Sequence, residues 1–259
     1  MITPSGERLT VVHRASQVRL AAGTVLSVRR RYTGIDRTNR QSFANFADLA
    51  ISDIRRDRAR SRALAGRYWA NLVALEATPE DVGQPEEDPD LRNRLYSSIY
   101  YQGRAGYDNR IAGGQTPEES DSKVRVALLG SVVRHVLDGS REDLRERTIR
   151  SRQATGFVRV TAGDDRVCYF CAMLASRTDY KERSFDKSDP RFAVGGNPMA
   201  NAKVHDSCRC SLRPIFDDDV PDMTLNYQQL WRDLSGDTTE SAVKTFRSGY
   251  NAMVSSSQM

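Results

Sequence analysis

Long stretches of helical period alternate along the chain with short polar breaks. From Ser42 to Leu75 the apolar residues recur mostly at three- and four-residue steps: Phe43, Phe46, Leu49, Ala50 and Ile54, then Leu64, Tyr68, Leu72 and Leu75. That spacing puts them on one side of an amphipathic helix. A very basic run, Arg55 to Arg62, separates the two halves, so the helix over 42–77 is read as continuous or bent at 60–66. Residues 16–31 predict a helix broken near Gly23. Before it, the run Leu9–Val12 suits a strand or a segment lying along a partner. Leu91, Leu95, Ile99 and Tyr100 predict a helix over about 90–111, capped by Asp88 or Asp90 and ended by Gly113 and Gly114. The most apolar helix is expected over 122–138, starting at Ser120 or Ser122 and central to the core. Ser140-Arg-Glu-Asp143 then reads as a variant capping box that opens a short helix to about 152.

Beyond residue 155 the period changes. Gly156 to Thr161 largely alternates apolar and polar residues, which is the signature of a strand. A short helix, Tyr169 to Ala175, follows, and residues 176–203 are loop-rich. Ser211 to Phe216 predicts a strand returning beside 156–161, and two helices, about 224–234 and 238–254, close the pattern. The fold class is therefore α+β and mostly helical, with an elongated helical N-terminal region and a small C-terminal α+β module. The organisation reads as an arginine-rich helical region (1–77), an acidic proline-rich linker (78–90), a helical core (91–155), a strand and Cys/His module (156–216) and C-terminal helices (217–259).

Charge sharpens this division. Residues 1–77 hold 14 arginines, 6 acids and no lysine, whereas 78–90 hold six acids, three prolines and no base. The arginines at 29, 30, 31, 55, 56, 58, 60 and 62 are candidates for contact with a partner protein or with nucleic acid. Those from 55 to 62 spread around the helix circumference. That spread suits contact with acidic protein surfaces, or pairing with Asp53 and Asp57, better than one flat DNA-binding face. The N-terminus lacks the apolar core of a signal peptide, and no apolar run approaches the ~20 residues a membrane span needs. A chain made in a cytoplasm, with no membrane partner, is expected.

All four cysteines, Cys168, Cys171, Cys208 and Cys210, fall within one stretch that also holds His205, one of three histidines. The C-x-x-C pair lets two thiolates point into one small volume, and His205-Asp-Ser-Cys208-Arg-Cys210 supplies three more donors. Structural zinc is the favoured reading, with four of these five as ligands and the choice among them open. A pair of disulfides, disfavoured in a reducing cytosol, and reduced, packed cysteines with no metal are the rival readings. A thioredoxin-like redox role does not suit a C-x-x-C answered by a second cysteine pair.

The stretch Arg159-Val-Thr-Ala-Gly-Asp-Asp-Arg-Val-Cys-Tyr-Phe-Cys-Ala-Met-Leu-Ala175, closed by His205-Asp-Ser-Cys-Arg-Cys-Ser-Leu-Arg-Pro214, resembles the phage minor head proteins of the Mu F type, as found in tailed phages of actinobacteria. In that family a Gly-Asp turn leads into C-x-x-C-x-x-L-A, and H-x-x-C-R-C precedes a proline. The resemblance covers roughly residues 120–216. It implies a low-copy protein inside the virion head, associated with the portal vertex. The portal protein or major capsid protein would be its partner, with non-specific contact to packaged double-stranded DNA as a further interaction. Some relatives carry the label capsid maturation protease, but the sequence favours a non-enzymatic reading. It has no G-x-S-x-G and no H-E-x-x-H, and the clustered cysteines compete with one another for any nucleophile role. A serine paired with His13 or His135 stays open, because such pairs meet in space rather than in sequence.

Overall fold

A computed structural model describes residues 1–37, 39–161, 167–176, 178–180, 206–217, 219–235 and 239–256. Helices dominate it: α1 (Pro4–Thr33), α2 (Arg40–Glu76), α3 (Leu91–Tyr100), α4 (Gly106–Ala112), α5 (Pro117–Arg150), α6 (Tyr169–Ala175), α7 (Asp222–Ser235) and α8 (Thr239–Ser256). One turn of π-helix, Tyr101–Ala105, joins α3 to α4. The fold is mostly helical α+β, as the pattern predicts. Among the described residues, no helix is long and apolar enough to cross a membrane.

Helices α1 and α2 run antiparallel, and both pack on α5. Helix α1 is longer and more regular than its sequence suggests. Thr3 caps it by accepting from the Gly6 amide, and Pro4 occupies the first turn, where no amide donor is required. The Leu9–Val12 run lies inside this helix and forms no strand. Gly23 does not break it: glycine costs a helix only ~1 kcal/mol relative to alanine, and contacts along α2 and α5 offset that. The buried stripe of α1 is largely polar. Thr10 bonds to the Tyr68 hydroxyl, Gln17 to the Ser61 carbonyl, and Thr24 to the Asp57 carboxylate. Helix α2 is continuous through the basic run.

Helix α5 corrects two expectations. It begins at Thr116, whose hydroxyl accepts from Glu119 N while the Glu119 carboxylate accepts from Thr116 N. It then continues unbroken through Ser140, so Ser140-Arg-Glu-Asp143 caps nothing. Ser140 is claimed by tertiary contacts: its amide donates to the Ser61 hydroxyl and its own hydroxyl meets His13 Nε2. Gly139 beside it lets α2 approach, since a Cβ there would stand 2.6 Å from the Arg58 carbonyl. The helix expected over 90–111 is interrupted by the π turn. There Gly103 is buried against the Phe43 ring, which a Cβ would meet at 2.6 Å.

Among the described residues, three apolar groups pack beside the cysteine group. The largest joins α1, α2, α3 and α5 through residues such as Val28, Phe46, Ile54, Leu95, Leu128 and Val132. A second, with Tyr68, Trp69, Leu72 and Leu144, receives Phe157 and Leu212. A third packs Met173 and Leu174 against Trp231, Phe246 and Tyr250 of the last two helices. Among the described residues the sheet is antiparallel, in the order β2 (Thr178–Tyr180), β1 (Gly156–Val160), β3 (Ser211–Ile215). Arg159 pairs with Leu212 and Phe157 with Pro214. Pro214 is tolerated because β3 lies at the edge. Every residue of β1 and β3 is buried, although each strand carries an arginine.

Candidate metal centre

Helix α6 starts at the first cysteine pair. Cys168 is its N-cap, and the Cys168 Sγ accepts from the Cys171 amide at 3.4 Å. Capping therefore fixes the C-x-x-C spacing, with Cys171 one turn inside the helix. The other pair arrives on the turn into β3. Ser207, in the left-handed region at φ 65°, aims this turn, and its amide donates to the Gly130 carbonyl. Gly130 is needed for so close a seat, because a Cβ there would come within 2.7 Å of the Ser207 hydroxyl.

The sulfurs of Cys171, Cys208 and Cys210 all lie within 4.8 Å of one another and are buried. Cys171 Sγ is 3.6 Å from Cys208 Sγ, far beyond the ~2.05 Å of a disulfide, and none of the four cysteines is joined in a disulfide. The half-buried Cys168 packs against the group. His205 lies outside the described residues. Cys171, Cys208 and Cys210 form a group that can hold a metal ion.

Electrostatics favour ionised sulfur at Cys208. Its pKa is lowered because its thiolate accepts from Cys171 and Cys210 and stands near the Arg141 and Arg159 guanidinium groups. The Cys171 pKa is raised, because its thiol hydrogen-bonds to Cys168, Cys208 and Cys210 and because it is buried. Metal binding needs deprotonated sulfurs.

Sequence reasoning missed the residues of α5 and β1 that hold the centre. Arg141 donates from Nε and Nη2 to the Cys210 carbonyl, at 3.0 and 2.8 Å, and from Nη2 to the Cys208 carbonyl at 2.8 Å. Arg134 pairs with Asp206 at 3.3 Å. Gly130, Arg134 and Arg141 thus seat residues 206–210 along α5. From β1, Arg159 Nη1 reaches 3.7 Å from Cys208 Sγ. The signal was present at Arg159, an arginine amid the apolar residues of a strand.

The candidate contact arginines divide. Arg58 is buried and turned onto α5, where it bonds to the His135 carbonyl and pairs with Glu142. Arg62 reaches the Pro85 carbonyl and Asp143. Arg31 and Arg56 bind the buried Asp53 carboxylate, and Arg56 and Arg60 bind Asp57, each at 3.0 Å. Arg56 and Arg60 thus pair with acids of their own helix, as Asp53 and Asp57 suggest from sequence. Arg29, Arg30 and Arg55 are exposed, and among the described residues they have no ion-pair partner.

The other histidines sit away from the cysteines. His13 lies 3.1 Å from the Ser140 hydroxyl, stacked on Tyr68, and burial pushes its pKa down to about 4. His135 lines a cleft of about 340 Å³ with Arg58, Arg94, Ser98, Arg134 and Glu142. Burial and then the Arg134, Arg58 and Arg94 charges push its pKa down to about 3.

No curated protein and no solved structure matches the chain. The VG15 protein family does match, over residues 16–246, from within α1 to Phe246 of α8 and across the whole cysteine group. On the extent of that match the chain belongs to the VG15 family, a family of viral proteins.

Proposed function

We propose that this viral protein is a minor capsid protein of a tailed phage, of the Mu F-like kind. It resides inside the head at the portal vertex and serves in head assembly or in DNA packaging and ejection. The observation that carries the reading is the meeting of the two halves of the motif. Cys168-Tyr-Phe-Cys171 and Cys208-Arg-Cys210, far apart in sequence, converge on one buried group seated on α5. Membership in a viral family supports it. Zinc suits this group. Two sulfurs each ~2.3 Å from a tetrahedral zinc stand about 3.8 Å apart, close to the Cys171–Cys208 separation of 3.6 Å. The fourth donor is Cys168 or His205. The ion acts structurally, tying α6 to the turn before β3.

Arg29, Arg30 and Arg55 are the arginines left for portal or capsid surfaces, ahead of DNA. The chain acts without catalysis in this reading. Cys171, Cys208 and Cys210 are buried, and the His13–Ser140 pair lies inside the α1–α2–α5 packing at 5 % and 2 % exposure, closed to a polypeptide substrate. The rival is a capsid maturation protease. The test is to purify virions, identify this chain among their proteins by mass spectrometry, and ask whether it co-purifies with the portal protein. A chain absent from virions, or one that cleaves the major capsid protein and loses this with Cys208→Ser while staying folded, overturns the reading.

A further inference from the structure

We propose that the outward face of α1 is a docking strip for a helix of a partner protein, one whose apolar seam is flanked by Asp or Glu. This deepens the reading of Arg29 and Arg30 as contact residues and rests on that part of it. Helix α1 is buried along Thr10, His13, Gln17, Thr24 and Val28, where it packs on α2 and α5. Its opposite side carries Val12, Ala15, Arg19, Ala22, Leu26 and Arg29, at alternating steps of three and four residues. That is the spacing of a helix that lies along another helix. At about 1.5 Å per residue the strip runs for roughly 25 Å. Val12 and Leu26 are 59 % and 53 % exposed. Between them Ala22 and Gly23 are exposed, and these small residues let a second helix come close. Polar side chains fill the buried side while valine and leucine face outward, so the outward apolar residues serve no packing within this chain.

Charge gives the partner's chemistry. Arg8, Arg19, Arg29 and Arg30 are exposed on this side, and among the described residues none of them has an ion-pair partner. Glu7 is the sole acid of α1, and at ~100° per residue it lies off the strip. Asp53 and Asp57 meet α1 at Thr24, Ser27 and Arg31, nearer its buried side. An acidic partner is therefore the complementary one. Arg19 sits in the seam itself, between Val12 and Leu26. An acid opposite it would fix the register, as a polar residue at a seam position does. A second copy of this chain would instead bring arginine against arginine. DNA phosphates would leave Val12 and Leu26 without an apolar surface to cover them. A lipid surface takes a helix whose basic and apolar residues lie on opposite faces, and here they share one.

The test offers the full chain a fluorescent synthetic helix of several heptads, with leucine at its seam positions and glutamate beside them, and reads anisotropy. The expected result is binding with a Kd of about 10 μM or tighter, and none for the same peptide with lysine in place of glutamate. Arg19→Glu should weaken binding about tenfold or more, because like charges then face each other. Leu26→Asp should weaken it about as much, by placing an unpaired charge in the seam. Val126→Asp makes the same change at an exposed α5 residue outside the strip, and should stay within about twofold of wild type. No binding of the glutamate peptide, or equal losses in Leu26→Asp and Val126→Asp, overturns the proposal. So does tighter binding of a DNA duplex or of phosphatidylglycerol vesicles that Leu26→Asp abolishes, or a dimer in sedimentation that Leu26→Asp dissociates. If Leu26→Asp does not fold, Arg19→Glu decides alone: a loss of about tenfold supports the proposal and retained binding overturns it. Failure with the peptide leaves the virion assignment standing, because that is read from the proteins of purified virions. A chain absent from virions that still binds the peptide loses that assignment and keeps the strip.

Discussion

Replacing Glu76 by Gln should cost more stability than almost any other single change. Arg213 Nη2 donates to both Glu76 carboxylate oxygens, at 2.7 and 2.9 Å, and the two side chains are 1 % and 2 % exposed. The same carboxylate accepts the Thr3 amide at 2.9 Å, so one group joins the start of α1, the end of α2 and β3. Glutamine keeps the volume and an acceptor for Thr3, but it removes the charge. A guanidinium is then left buried without its anion, for which about 3–5 kcal/mol is the usual cost. For a chain of this size that lowers the melting temperature by roughly 10 °C. The assay is urea unfolding of the purified chain followed by circular dichroism. The double variant Glu76→Leu/Arg213→Met should recover most of the loss, because an apolar pair of similar volume needs no desolvation of charge. A cost below about 1 kcal/mol for Glu76→Gln, or a double variant worse than the single, would refute the reasoning.

Four further outcomes are expected. His13, neutral in the fold with a pKa near 4 against 6.5 unfolded, binds its proton in the unfolded chain first as pH falls; stability should drop between pH 6.5 and 4, by about 3 kcal/mol from this residue, and His13→Gln should flatten that part of a stability–pH curve. Gly139→Ala should destabilise by about 1–3 kcal/mol, because the new methyl meets the Arg58 carbonyl at 2.6 Å. Gly23→Ala, with nothing within 4 Å, should stabilise by up to ~1 kcal/mol in the same urea titration. Changing Arg29, Arg30 and Arg55 to Gln together should leave the melting temperature within about 2 °C of wild type, as exposed charges contribute little, while weakening any pull-down of the portal protein; Arg58→Gln should do the reverse.

Helices with an apolar stripe were legible in the sequence, and α2 and α8 fall close to their expected spans. So did β1, α6 and β3, where alternation and the cysteine spacing agree. Helix α1 was not legible as one element. Its buried positions include Thr10, His13, Gln17 and Thr24 beside the apolar Ala21, Val28 and Tyr32, while Val11, Val12 and Leu26 face outward, so over its first two-thirds hydropathy points the wrong way. Only the partners on α2 and α5 give those polar residues a reason to be inside. Gly130 and Gly139 likewise mark close approaches that exist only in three dimensions. Ser140 looked like a cap because serine is a common one, yet tertiary hydrogen bonds claim both its amide and its hydroxyl. The cysteine group was visible as donors. The arginines that seat it on α5 and β1 were not, since nothing in the linear chain ties position 141 or 159 to 208.

The most direct test of the account is native mass spectrometry of the freshly purified chain, beside the same sample denatured in acid. The account predicts one zinc per chain in the native spectrum, lost on denaturation to leave a mass with all four cysteines reduced, and no zinc retained in a Cys171→Ser/Cys208→Ser variant. A native mass free of metal, with or without the loss of hydrogens that marks disulfides, would contradict it.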